Sequence, residues 1–344
     1  MDTPDGGGGG DAFAGKLRTK AHHIAKLAVE KRAEDINDFV GRGMRLPLDD
    51  EHLLYGTRTG QVVAVEVVPG TLEWATLEKH YAWVADSYGI FTRLPDPRGF
   101  VPLVEAMEKT LKVFGGESGS EKQPDITDTA WGNMNSTQIW ITGWYGDAAT
   151  QFAKFADPFE EIGNNHAALA DALLRGAAAT GKVFANARKD VDNIADATIG
   201  ALKGKSPGGG DDLVVVLSVV ATVAGFIASV PTLGATLAIG FAGAAALASL
   251  AKDTMPAPKG EGEESKVEVV IGGHTVDAII SSMSQELSRL NRFIEDEETE
   301  IKRILEDNHS EILVPRNRKK VEAPRPDLAD LTSGPIRPNL SPPV

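Results

Sequence analysis

The chain contains no cysteine, which removes disulfides, thiol nucleophiles and thiolate metal sites together. Basic residues are also in short supply: 35 Lys and Arg stand against 49 Asp and Glu, a formal charge of −14. A surface of that sign does not neutralise phosphates, which argues against nucleic acid as a partner. Any affinity for a membrane then has to come from apolar burial and not from attraction to anionic lipid. The amino terminus, MDTPDGGGGGDAF, lacks the basic flank and apolar core of a cleaved signal peptide.

Catalytic patterns are equally scarce. The seven histidines lie apart except for His22 and His23, and none has a metal-ligand spacing to a second His or carboxylate motif. His166 falls on a helical seam and reads as a core or interface residue. Asp49-Asp50-Glu51-His52 reads as a solvated acidic loop. Gly204-Lys205-Ser206 copies the end of a phosphate-binding loop, yet the upstream glycine is missing and a helix, not a strand, precedes it. No catalytic residue, cofactor site or metal site is assigned, and the chain reads as non-enzymatic.

What the chain does have is a long uncharged run. Leu213 to Ala251 reads LVVVLSVVATVAGFIASVPTLGATLAIGFAGAAALASLA, closed by Asp211 and Asp212 before it and by Lys252 and Asp253 after it. Pro231 divides it into halves of about 18 to 20 residues, near the length a helix needs to cross a bilayer core. Small residues recur at every fourth position, Ala221, Gly225 and Ser229 in the first half and Thr236, Gly240, Ala244 and Ala248 in the second. Such stripes let helix backbones approach closely in lipid. The expectation is a hydrophobic, transmembrane helical hairpin turning at Pro231 and packed through Gly225, Gly240 and Ala244. The competing reading is an Ala/Gly hairpin buried between amphipathic helices in a water-soluble form.

The remaining chain reads as mainly α. Residues 1–20 are expected to be disordered because of the Gly6 to Gly10 run. Residues 21–100 form an N-terminal helical region, with helices near Ala21 to Val40 and Leu72 to Tyr88. A short β-branched strand is expected at Gln61 to Val68. Pro102 opens a helix through Phe114. A further helix near Ile126 to Ile141 precedes a turn at Gly143 to Gly146. From Phe159 to Thr198, apolar and small residues fall mostly at three- and four-residue steps, the seam of one long helix ending near Leu202. Residues 205–212 are a flexible joint and 252–265 a linker. Val267 to Ile271 is expected to pair with Gln61 to Val68 as a small two-stranded element. Within 266–313, Val276, Ile280, Met283, Leu287, Leu290, Ile294, Glu297, Ile301 and Ile304 alternate four- and three-residue steps, a coiled-coil-like helix. Residues 314–344 form a Pro-rich tail, expected to be disordered.

At Gly143-Trp144-Tyr145-Gly146-Asp147-Ala148-Ala149, followed by Phe152, the chain resembles the ESAT-six-like, WXG-motif substrates of type VII secretion. In that family a Trp-x-Gly turn joins two helices. The resemblance covers about 101–204 and implies a helical hairpin with Trp144 and Gly146 at its bend, exported by the type VII apparatus and paired with a partner. The Tyr-x-x-x-Asp/Glu export signal of the family does not occur after the second helix, because Phe159 to Gly210 contains no tyrosine. The length and central hydrophobic region look more like the longer secretion-associated relatives.

These readings combine into a type VII secretion-associated protein of an actinobacterium-like cell, cytoplasmic before export and then secreted or membrane-associated. It would bind a protein partner, or a second copy of itself, through helix faces that include Phe159, Leu169, Leu173, Phe184, Leu287, Leu290 and Ile294. Two alternatives stand beside it: a membrane-tethered cytosolic adaptor that is not exported, and the delivery portion of a toxin lacking its catalytic domain.

Overall fold

Helix formation begins earlier than the sequence suggests. In the computed structural model, which describes residues 10–43, 53–54, 66–113, 145–204, 213–217, 267–313 and 321–323, the first helix, α1, spans Gly10–Gly41. The expectation of disorder up to residue 20 is therefore corrected from Gly10 onward. Ala14 and Leu17 extend the buried stripe of Ala21, Ile24, Ala28 and Ile36 by two turns. That burial offsets the poor local helix propensity of a glycine-rich start.

The other helices are α2 (Leu72–Ser87), α3 (Val101–Val113), α4 (Asp147–Ala156), α5 (Phe159–Gly204) and α6 (Val276–Leu313). Short 3₁₀ turns lie at Phe91–Arg93 and Pro97–Phe100. The fold is mainly α-helical, as expected. The ends of the elements follow local chemistry. Thr71 caps α2, its hydroxyl accepting from the Trp74 N–H at 3.2 Å. Thr275 caps α6 in the same way through the Ala278 N–H at 3.1 Å. Asp157 and Pro158 separate α4 from α5, where proline cannot continue an existing helix.

Val267–Ile271 (β2) pairs antiparallel with Leu213–Leu217 (β1), in the register Leu213↔Ile271 through Leu217↔Val267. Of the partner expected for it, Gln61 to Val68, residues 66–68 form no strand. The first five residues of the uncharged run are thus a strand and not the start of a helix. Three consecutive valines favour the pleated backbone, and β2 supplies the ladder that such a backbone needs. Residues 61–65 lie outside the described residues. Val67, 1% exposed, is instead held by one side chain: its N–H donates to Asn37 Oδ1 at 2.7 Å, and Asn37 Nδ2 donates to its carbonyl at 2.9 Å.

The described residues fall into two compact units, divided at Asp96/Pro97, Lys182/Val183 and Asp296/Glu297. In the first unit α1 packs against α2, with Leu77, Tyr81, Val84, Tyr88 and Phe91 buried. Lys16 and Lys20 of α1 pair with Asp192 of α5 at 2.8 and 2.5 Å, and Lys20 also reaches Asp196 at 2.6 Å. Arg188 of α5 lies over the Phe13 ring, 4.6 Å from its centroid, and donates to the Leu94 carbonyl at 2.6 Å. The coiled-coil-like seam of α6 is buried from Val276 to Ile294.

In the second unit Val104 and Met107 of α3 pack on Leu174, Ala177 and Ala178 of α5, and Leu111 packs on Ala167 and Ala170. Leu305 of α6 sits against Gly176, where an added Cβ would lie 3.1 Å from its Cδ1. The glycine that looks like a weakness in the α5 pattern is what admits that leucine. Val321, inside the tail expected to be disordered, is held to α5 by His166, whose Nε2 donates to its carbonyl at 2.8 Å.

Candidate functional site

The residues singled out in the sequence have different fates. Trp144, Gly225, Pro231, Gly240 and Ala244 lie outside the described residues, as does the helix expected at 126–141. Gly146 is the N-cap of α4 with φ +102°, a backbone conformation that favours glycine over any residue with a Cβ. Phe159 is buried and meets Phe155 edge-on at 5.0 Å. Phe184, Leu287, Leu290 and Ile294 are buried within the chain itself, and Leu169 is half-buried. A partner reaching those buried side chains would have to displace the chain's own core. Leu173 alone of the seven is exposed, at 50%, while its neighbour Leu174 is at 0%. The seam is corrected there because α5 is enclosed on most of its circumference between Ala170 and Ala179. A single stripe is no longer defined.

The β1–β2 pair joins the described residues on either side of 218–266. Leu217 and Val267 are ladder partners, and paired strands lie about 4.8 Å apart. Leu217 and Val267, which flank residues 218–266, are therefore adjacent. From β2 the chain passes through Gly273 into α6. Gly273 has φ +147°, and a Cβ there would lie 2.6 Å from the Ala278 Cβ, so only glycine fits.

Immediately after that glycine, three helices converge on one carboxylate. Asp277, in the first turn of α6, accepts from the Tyr81 hydroxyl at 2.6 Å through Oδ1. Its Oδ2 lies 3.2 Å from Nη2 of Arg32 on α1, and His80 Nε2 lies 3.8 Å from Oδ1. His80 also meets Tyr81 edge-on, with ring centroids 4.7 Å apart. The group borders a cleft of about 700 Å³ lined further by Leu53, Trp83, Ile280, Ser281, Ser284 and Gln285. With both oxygens engaged, Asp277 is poorly placed to act as a free base. The arrangement suits recognition and the joining of α1, α2 and α6. No cluster of three metal-ligating side chains occurs among the described residues.

Burial tunes other ionisable groups. Asp171 and Arg175 of α5 form an ion pair at 2.8 Å, and both are nearly inaccessible, at 3% and 4% exposure. Burial pushes the Asp171 carboxyl up against the pull of Arg175, and pushes the Arg175 guanidinium down. Burial likewise raises the Tyr88 hydroxyl, which sits beside Thr198.

The Asp277 group is not apparent in the sequence, because its members come from three helices. The one local trace is His80 and Trp83 three residues apart on α2, a spacing that puts both on one helix face. No protein-family model, curated protein or solved structure matches the chain.

Proposed function

We propose that this chain is a non-enzymatic, type VII secretion-associated protein, exported or membrane-associated, whose helical body delivers the uncharged run to a bilayer. The observation that carries the reading is the β1–β2 pair. A clamp between Leu217 and Val267 brings both ends of residues 218–266 to one side of any membrane they meet, as a hairpin insertion requires. No helix among the described residues is long and apolar enough to cross a membrane, so the reading assigns lipid contact to residues 218–251. The W-x-G segment adds support through Gly146, which opens α4 in a conformation suited to a tight bend. Partner contacts belong to exposed helix surface, not to the buried seams.

Vesicle flotation tests the membrane half. The full chain should float with neutral phosphatidylcholine vesicles, and added salt should matter little, since a charge of −14 offers no attraction to screen. Gly225→Asp with Gly240→Asp should abolish flotation, because each carboxylate costs roughly 2.5–3.5 kcal/mol at a helix centre in lipid. Flotation that survives both changes would remove the run as the anchor. Trp144→Ala tests the export half. Secretion that continues unchanged would remove the W-x-G segment from any role in export.

A further inference from the structure

We propose that the cleft beside Asp277 binds a neutral, polyhydroxylated ligand of the saccharide class. The inference stands apart from the membrane reading, since every lining residue belongs to the first unit. Its volume of about 700 Å³ is in the range of small-ligand sites.

The charges of the lining select the ligand class. Arg32 and Asp277 are already paired at 3.2 Å. An anionic ligand would bring its charge against Asp277, the more exposed partner at 46% against 11%, and a cation would have to compete with Arg32 for that carboxylate. Either has to be desolvated beside a like charge or break the existing pair. A neutral ligand does neither. The polar groups around the pair match hydroxyls, which both donate and accept. Ser281, Ser284 and Gln285 fall on one face of α6 at helical spacing and line the cleft together with His80 of α2, so the lining residues carry two hydroxyls, an amide and an imidazole. Trp83 supplies the remaining element. The residue is 42% exposed and lines the cleft, and an indole offers a broad apolar face with a polar N–H at its edge. The apolar C–H face of a pyranose ring can lie flat on an indole while the ring's hydroxyls point sideways, toward the Ser–Ser–Gln row.

The test is a titration of the full chain with three disaccharides: neutral N,N′-diacetylchitobiose, cationic chitobiose and anionic digalacturonate. The readouts are the Trp83 indole N–H resonance, assigned by its loss in Trp83→Phe, and titration calorimetry, which also serves the variant that lacks the indole. The neutral sugar should give a saturable shift and bind about tenfold more tightly than either charged one. Trp83→Ala should weaken binding at least about tenfold, and Ser284→Ala with Gln285→Ala about three- to tenfold. All three positions are at least partly exposed, so these variants should retain the fold, checked by circular dichroism. The proposal is overturned if the neutral sugar leaves the Trp83 resonance unmoved at about 20 mM, if a charged sugar binds as well, or if folded Trp83→Ala binds undiminished.

Discussion

The helices α5 and α6 are both long, at 46 and 38 residues, and both carry three-four spacing, yet they bury themselves in different ways. In α6 the large aliphatics Ile280, Met283, Leu287, Leu290 and Ile294 make one buried seam, and charged residues occupy much of the opposite face. Between Ala170 and Ala179, half the residues of α5 are alanine and the helix is covered on nearly every side, with Leu173 at its exposed edge. Large side chains hold a neighbour at a distance and concentrate contact on one stripe. Alanine and glycine let neighbouring elements come close from several directions, as Leu305 does at Gly176. That close cover also encloses the Asp171–Arg175 pair, which a seam of the α6 kind would leave at the solvent edge.

The largest test of this contrast is to break that pair. Asp171→Ala leaves Arg175 as a buried cation without its carboxylate and should cost about 3–5 kcal/mol in urea unfolding. Replacing both, Asp171→Leu with Arg175→Met, should recover most of the loss, because an apolar pair fits such surroundings without a desolvation cost. A single change costing under about 1 kcal/mol would mean that water reaches the pair and that α5 is not enclosed there.

Next in size is a matched pair of leucine truncations. Leu290→Ala removes a fully buried side chain from the α6 seam and should cost about 2–5 kcal/mol. Leu173→Ala on α5 should cost no more than about 0.5 kcal/mol. If the two cost the same, with the Leu173 effect growing with protein concentration, Leu173 is buried between copies in solution. The self-association expected from the sequence would then run through that residue.

How far the fold is legible in the sequence follows the same contrast. The α6 seam can be read directly because its apolar residues are large and strictly spaced, and the start of α3 because Pro102 belongs in a first turn. The face of α5 cannot be read between Ala170 and Ala179, since periodicity carries little information where half the residues are alanine and all but Leu173 are buried. The pairing of β2 is invisible for another reason. Val62 to Val68 and Leu213 to Leu217 are both rich in β-branched residues, so composition cannot choose between them. Contacts distant in sequence decide such partners, as at Val67, both of whose backbone groups are taken by Asn37. The Asp277 cleft is assembled from three helices by tertiary packing, and no local motif announces it.

The smallest expected effect separates the two regions of α5 by acid. Burial alone would raise Asp192, but the ion-pair hydrogen bonds from Lys16 and Lys20 outweigh it and hold the carboxyl below its ordinary value. Asp171, where burial wins, is held above. The signs of the two contributions are opposite. A lowered Asp192 adds stability that is complete above the unfolded carboxylate value of about 3.9 and disappears as pH falls through its lower folded value. A raised Asp171 takes up its proton earlier on the way down, and protonation there relieves a desolvation penalty on the carboxyl. Amide exchange followed from neutral pH into acid should therefore show α5 around Asp171 responding first. The contacts of α1 near Lys16 and Lys20 should loosen only below the ordinary carboxylate range. Lys20→Met should bring that loosening to higher pH, because Asp192 then loses one of the two ammonium groups that depress it. If Lys20→Met leaves the pH of loosening unchanged, Lys16 alone suffices to hold the clamp. If the α1 contacts loosen before the Asp171 region responds, the two halves of α5 do not differ in the way their side-chain sizes imply.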